Sequence, residues 1–300
     1  MKRKRDLVEI FGYAPTDLTQ QVRILWDIGA CPFINKPCIK FNHDKTLTYG
    51  TCSVTSPFGD VIICPNRLYA NKYKVIRDVA LDAFGNNNEI LFFDEYIKHR
   101  GIVSDCIVAL GKNSGKEVQL GNSLSMDWVL ALIKNNQLKE YVGIEVQSLD
   151  ITGNYRDAWH AYRHFSENTD VNSIPTSEHG LNWANVHKRI IPQLIRKGNI
   201  YSKSEIVKKG LYFIVPDIVY NKFEKQIGNI PLLENASKNT ITVFTYELGQ
   251  LSVHGEHREL QVVRKIRFQL QEFARRFIEG ATLPSGYELD RAVKSVLGIK

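Results

Sequence analysis

Four of the five cysteines in this 300-residue chain fall between positions 31 and 64, as Cys31, Cys38, Cys52 and Cys64. Thiols gathered that tightly, behind a start with no apolar leader, suit one tetrahedral metal ion better than disulfides. Proline directly follows two of them, at Cys31-Pro32 and Cys64-Pro65, and Gly50-Thr51 leads into a third. Such turns aim sulfur inward. The competing reading is a set of unrelated buried thiols, because free cysteine packs as a small hydrophobe; Cys106, standing apart, reads that way. Zinc and iron suit four thiolates alike, and the spacing does not separate them.

A second grouping is acidic. The segment Tyr141-Val142-Gly143-Ile144-Glu145-Val146-Gln147-Ser148 reads as a strand. Residues two apart share a face, so Glu145 and Gln147 point one way while Ile144 and Val146 turn to the core. A carboxylate on an apolar strand needs a positive partner, either a bound cation or a core arginine such as Arg156. Asp127 opens the neighbouring strand, and antiparallel pairing through residues 134–140 would bring it beside Glu145. Two carboxylates with open positions suit Mg²⁺, which bound to a phosphodiester can polarise the phosphoryl oxygen and activate water. Glu117, ten residues earlier, is a further candidate acid, weighed against an ordinary exposed one. Gln147 is neutral and orients only by hydrogen bonds, so the ion itself must activate the nucleophile.

The elements that would hold these groups are readable from periodicity. Residues 1–85 form a cysteine-bearing module organised by metal, and Gly85-Asn86-Asn87-Asn88 is the best linker. Residues 86–300 alternate strand-like and helix-like segments, the mark of an α/β domain. Helices are expected over 19–29, 72–84 and 182–196, and strands over 126–133, 141–149, 211–215 and 240–248. Val263, Ile266, Leu270, Phe273 and Phe277 recur at three- and four-residue steps, which predicts a long helix over 256–279. Trp159, Tyr162 and Trp183 read as packing groups rather than base-stacking ones.

Hydrophobic content of 43% and charged content of 24% are ordinary for a globular protein. No apolar run approaches the roughly 20 residues that cross a bilayer, so the expectation is a cytoplasmic protein without a membrane partner. A net charge of +7 and a pI near 9.0 have the sign of a phosphate-binding protein. The run at 188–209, with Lys188, Arg189, Arg196, Lys197, Lys203, Lys208 and Lys209 against Glu205, is either a phosphate-tracking surface or a solvated face.

Taken together, several stretches resemble the NotI family of type II restriction endonucleases: Asp6-Leu7-Val8-Glu9-Ile10-Phe11-Gly12-Tyr13, Ile28-Gly29-Ala30-Cys31-Pro32-Phe33, Cys52-Ser53-Val54, Ile63-Cys64-Pro65-Asn66-Arg67-Leu68 and Gly143-Ile144-Glu145-Val146-Gln147. The resemblance implies a PD-(D/E)xK core, a mixed sheet flanked by helices, with glutamine where lysine is usual and a small N-terminal four-cysteine module. It implies iron on Cys31, Cys38, Cys52 and Cys64, with Asp127, Glu145 and Gln147 as the catalytic group using Mg²⁺. It further implies a homodimer that cuts both strands of a GC-rich palindrome in double-stranded DNA, CGGCCG or a longer site containing it, leaving a four-base 5′ extension. The rival from another class is a DNA-binding regulator with a structural metal and no catalysis. A metalloenzyme acting through the cysteine-bound ion is disfavoured, since four thiolates leave no open position.

Overall fold

Strands Leu7–Ile10 (β1), Thr51–Ser56 (β2) and Gly59–Ile62 (β3) form a small antiparallel sheet at the N-terminus of the computed structural model, which describes residues 4–42, 44–85, 88–120, 124–251, 253–280 and 284–299. Between β1 and β2 lies helix α1, Gln20–Ile28, closed by Gly29 in the left-handed conformation with its N–H on the Leu25 carbonyl. That sharp stop turns the chain into Cys31, and a two-residue hairpin pairs Ala30–Cys31 with Lys36–Pro37. Helix α2, Ala70–Phe84, follows, and its first turn is left-handed at Asn71, Lys72 and Tyr73. The Arg77 guanidinium meets the Asn71 and Lys72 carbonyls that this turn leaves free. In the expected linker, Asn86 and Asn87 lie outside the described residues.

The apolar runs then build one seven-stranded mixed sheet: Ile90–Phe92 (β4), Cys106–Gly111 (β5), Trp128–Lys134 (β6), Gln137–Val146 (β7), Leu211–Pro216 (β8), Thr240–Leu248 (β9) and Leu260–Gln269 (β10). Their spatial order is β10-β9-β8-β7-β6-β5-β4. β5, β6 and β7 make an antiparallel meander, and the β6–β7 hairpin turns on Asn135 and Asn136, both at positive φ as a two-residue primed turn requires. β8 lies parallel to β7, and β9 parallel to β8.

Helices Phe93–His99 (α3), Arg156–Arg163 (α4), Ile191–Ser202 (α5), Asp217–Ile227 (α6), Leu270–Glu279 (α7) and Gly286–Leu297 (α8) complete the chain. Both faces of the sheet are covered. On one, Asp78 and Asp82 of α2 accept hydrogen bonds from Tyr246, Tyr212, Lys265 and Arg267. On the other, α5, α6 and α7 pack on the strands, with Phe213 stacked on Phe223 and Phe268 on Phe273. Burial on both sides explains why β6 and β8 read as nearly unbroken apolar runs. It also means that the side of β7 that carries Glu145 lies under α5. The protein is therefore α/β, a large mixed sheet flanked by helices, and its hydrophobic core runs continuously from Leu7 to Phe273. Among the described residues no helix is long and apolar enough to cross a membrane.

The expected helix over 256–279 is corrected. Residues 260–269 are the edge strand β10, and only Leu270–Glu279 is helical. Ile266 and Phe268, two apart, bury into the sheet while Val263 stays 41% exposed, a strand's alternation. The three-and-four spacing arose by joining that strand to the helix after it. The ladder to β9 decides the first half.

Candidate active site

Trp128 stands opposite Ile144 in the β6–β7 ladder. Asp127 lies one residue before the first and Glu145 one after the second, so the antiparallel register sets the two carboxylates side by side. The Val146 N–H donates to Asp127 Oδ2 at 2.9 Å. Glu145 is 4% exposed, and burial, with the Asp127 charge beside it, pushes its carboxyl up to about 8. Burial raises Asp127 as well. Two acids in one dry spot repel, and a cation relieves both.

Glu145 takes its positive partner from a place the sequence did not suggest. Lys197, on α5, donates from Nζ to Glu145 Oε2. Arg156, the arginine considered from sequence, is exposed at the start of α4. The other oxygen, Glu145 Oε1, is buried and finds no hydrogen-bond partner among the described residues. One signal for Lys197 was available: with Leu194, Gly198 and Tyr201 it falls on the buried face of α5, where a lone lysine is out of place.

A cavity of about 630 Å³ opens in front of the acids. Asp127, Gln147 and Glu117 line it; Glu145 is not among the lining residues and joins the group through its contact with Asp127. Glu117 is half-buried, with Gln119 near its carboxylate. The opposite wall comes from the cysteine segment, through Lys36, Pro37, Ile39 and Asn66. A third side is the π turn Val186–Ile190 and its flanks, which supply Asn185, Arg189 and Gln193; π turns recur at functional sites. Lys36, Lys112 and Arg189 are exposed along this cavity, and none of them pairs with an acid among the described residues. The basic run at 188–209 therefore does not form one face. Arg189 reaches the cavity, Lys197 is buried on Glu145, and Lys209 holds the Ala83 carbonyl.

The thiols of Cys31, Cys38, Cys52 and Cys64 are all buried and free. They are electrostatic neighbours: Cys52 bonds to Cys64, and Cys38 feels both Cys31 and Cys64. The hydrogen bond from Cys52 draws Cys64 down to about 7, whereas burial pushes Cys38 up to about 11. Backbone N–H groups point at three sulfurs from two or three residues on. These are Phe33 and Ile34 toward Cys31, Lys40 toward Cys38, and Asn66 and Arg67 toward Cys64. Amides so placed favour thiolate over thiol. Among the described residues no three or more His, Cys, Asp or Glu side chains, the four cysteines included, are placed so that they could hold a metal ion. Cys106 is fully buried in β5, and Trp159 and Tyr162 are buried packing groups.

No protein-family model matches this chain, and no curated protein matches it.

Proposed function

We propose that this chain is a Mg²⁺-dependent, sequence-specific endonuclease of double-stranded DNA, built on the PD-(D/E)xK plan in its E-x-Q form. The observation that carries the reading is the pairing of Asp127 with Glu145 across the β6–β7 ladder, beside a cavity that Asp127 shares with Glu117 and Gln147 and that Lys36, Lys112 and Arg189 edge.

Asp127 and Glu145 would hold the ion, and the fit rests on Oε1 of Glu145, a buried carboxyl oxygen with no hydrogen-bond partner among the described residues. When bound, the ion polarises the scissile phosphoryl oxygen and lowers the pKa of an attacking water. The chain's own residues do the rest. Gln147, whose main-chain N–H is fixed on the Ile214 carbonyl, presents an amide that can only orient. Lys36, Lys112 and Arg189 take the flanking phosphates. Glu117, at the cavity, is the further acid able to receive a proton.

The four thiols, with amides already aimed at three of them, suit iron or zinc as a structural ion. The ion would fix the wall opposite Asp127, because Pro37, Ile39 and Pro65 line the cavity next to Cys38 and Cys64. A symmetric homodimer matches a palindromic site, each subunit cutting one strand; the resemblance points to CGGCCG, or a longer site containing it, and a four-base 5′ extension.

Digestion of phage DNA with added Mg²⁺, followed by sequencing of fragment ends, tests the reading. Discrete fragments with one shared end sequence are expected, and Glu145→Ala should abolish them while leaving specific binding. Intact DNA under those conditions, with binding retained, would instead make the chain a regulator.

A further inference from the structure

Lys197 is 7% exposed. Leucine at its place on α5 would pack among Leu194, Gly198 and Tyr201 without the cost of stripping water from an ammonium group. Apolar packing therefore does not account for it. The backbone is shaped to bring it down. At Gly143 a Cβ would lie 2.1 Å from Cζ of Tyr201, so the bare glycine lets α5 settle close over β7, and Lys197, one turn before Tyr201, meets Glu145, two residues beyond Gly143. The contact is one-sided, since Lys197 bonds Oε2 and leaves Oε1 without a donor. Two carboxylates against one ammonium leave a single negative charge, and Gln147 contributes none.

We propose that Lys197 is the positioning residue of this centre: it grips one oxygen of Glu145, turns the other toward the divalent ion shared with Asp127, and supplies the positive charge that Gln147 lacks. The inference rests on the nuclease reading of the cavity. With the ion in place, the two acids, the ammonium and the ion carry one net positive charge, which a phosphodiester cancels. Without Lys197 the loaded centre would be neutral and Glu145 free to rotate, so the site would hold its ion more tightly and turn over less.

The test uses the full chain, comparing parent, Lys197→Met and Lys197→Arg. Calorimetric titration with MnCl₂ alone should show Lys197→Met binding about tenfold more tightly, because a like charge next to the ion is gone. At saturating MnCl₂ its kcat on plasmid DNA should fall roughly 10²-fold with KM little changed, and Lys197→Arg should regain part of that loss. A folded Lys197→Met that binds MnCl₂ no better than the parent would overturn the proposal, as would one that cuts at the parental rate. Should the methionine variant not fold, Lys197→Arg carries the test: with its charge kept it should bind MnCl₂ as the parent does, and a changed affinity would reject the role. If the parent leaves DNA intact, yet Lys197→Met still tightens MnCl₂ binding and Asp127→Asn abolishes it, the nuclease reading falls while the assignment of Lys197 stands.

Discussion

Two glutamates in this molecule are buried against a basic side chain, and they are treated in opposite ways. Glu9 gives both oxygens to Arg67, each at 2.9 Å, and takes a third hydrogen bond from Ser53. Arg67 goes on to the Arg258 carbonyl and lies over the Phe33 ring. This pair therefore ties β1, the turn after Cys64 and the β9–β10 connection into one knot. Glu145 has a single lysine on one oxygen, an acid beside it and a second oxygen without a hydrogen-bond partner among the described residues. A charge pair whose bonds are nearly all made holds structure together; one left half-made, at a cavity wall, is a place for something to bind.

The contrast breaks first, and by the largest amount, at the half-made pair. Glu145→Gln and Asp127→Asn should each cut DNA cleavage by roughly 10³-fold, the loss of an ion's hold on the scissile phosphate. Asp127→Asn should not lower the melting temperature, since it removes an acid from a crowded, buried pair; Glu145→Gln, which takes the carboxylate from the buried Lys197 but leaves Asp127 near it, should lower it by less than a change at Arg67 does. A drop in melting equal to that of an Arg67 variant would mean that both glutamates are structural.

At the completed pair the ranking reverses. Arg67→Met leaves Glu9 buried and uncompensated, a loss of about 3–5 kcal/mol, read by denaturant titration. Adding Glu9→Leu should recover most of it, because two apolar side chains replace two charges. Recovery by the second substitution is what a closed structural pair predicts and an active-site pair does not.

The thiols fall between these cases, buried like Glu9 yet lacking a completed partner set. Cys38→Ser should cost about 1–3 kcal/mol through a buried hydroxyl and should lower DNA affinity with it, since Pro37 and Ile39 line the cavity. A chelator that shifts the melting of the parent but not of this variant would assign the difference to a bound ion. Unchanged melting in both would leave the sulfurs as ordinary core.

How much of this could be read from the chain depends on how far apart the partners lie. Asp127 and Glu145 were legible because one hairpin joins them and alternation fixes which side chains share a face. β8 was legible as an unbroken apolar run, and β9 as a stretch rich in β-branched and aromatic residues. β10 was not, because a strand running straight into a helix borrows the helix's spacing across the junction. Lys197 was hidden for another reason: it lies 52 residues from Glu145, inside a basic run, and its place on the apolar face with Leu194, Gly198 and Tyr201 was the one mark that told it apart from the solvent-facing lysines around it. Arg67 and Glu9 both fall in segments read for their cysteines and family likeness, and no local pattern joins them across 58 positions.

The smallest effect should come from the edge of the completed knot. His257 rests on Tyr13 and Phe33, with ring centroids 4.1 and 5.0 Å away, and its Nε2 has no partner among the described residues. Burial, aided by the Arg67 charge, pulls it down to about 4. The folded protein thus keeps this imidazole neutral where an unfolded chain, with a pKa near 6.5, would protonate it. Its contribution to stability is full above pH 6.5 and is lost as pH falls from there through 4, about 1 kcal/mol once its partial exposure is allowed for. His257→Phe keeps the ring stacking and removes the proton site, so its melting temperature should fall less steeply than the parent's over that window while cleavage at pH 8 is untouched. An acid limb identical in both proteins would put the acid weakness elsewhere in the knot, and a loss of cleavage at pH 8 would mean that the knot and the active site are not the separate regions their bonding describes.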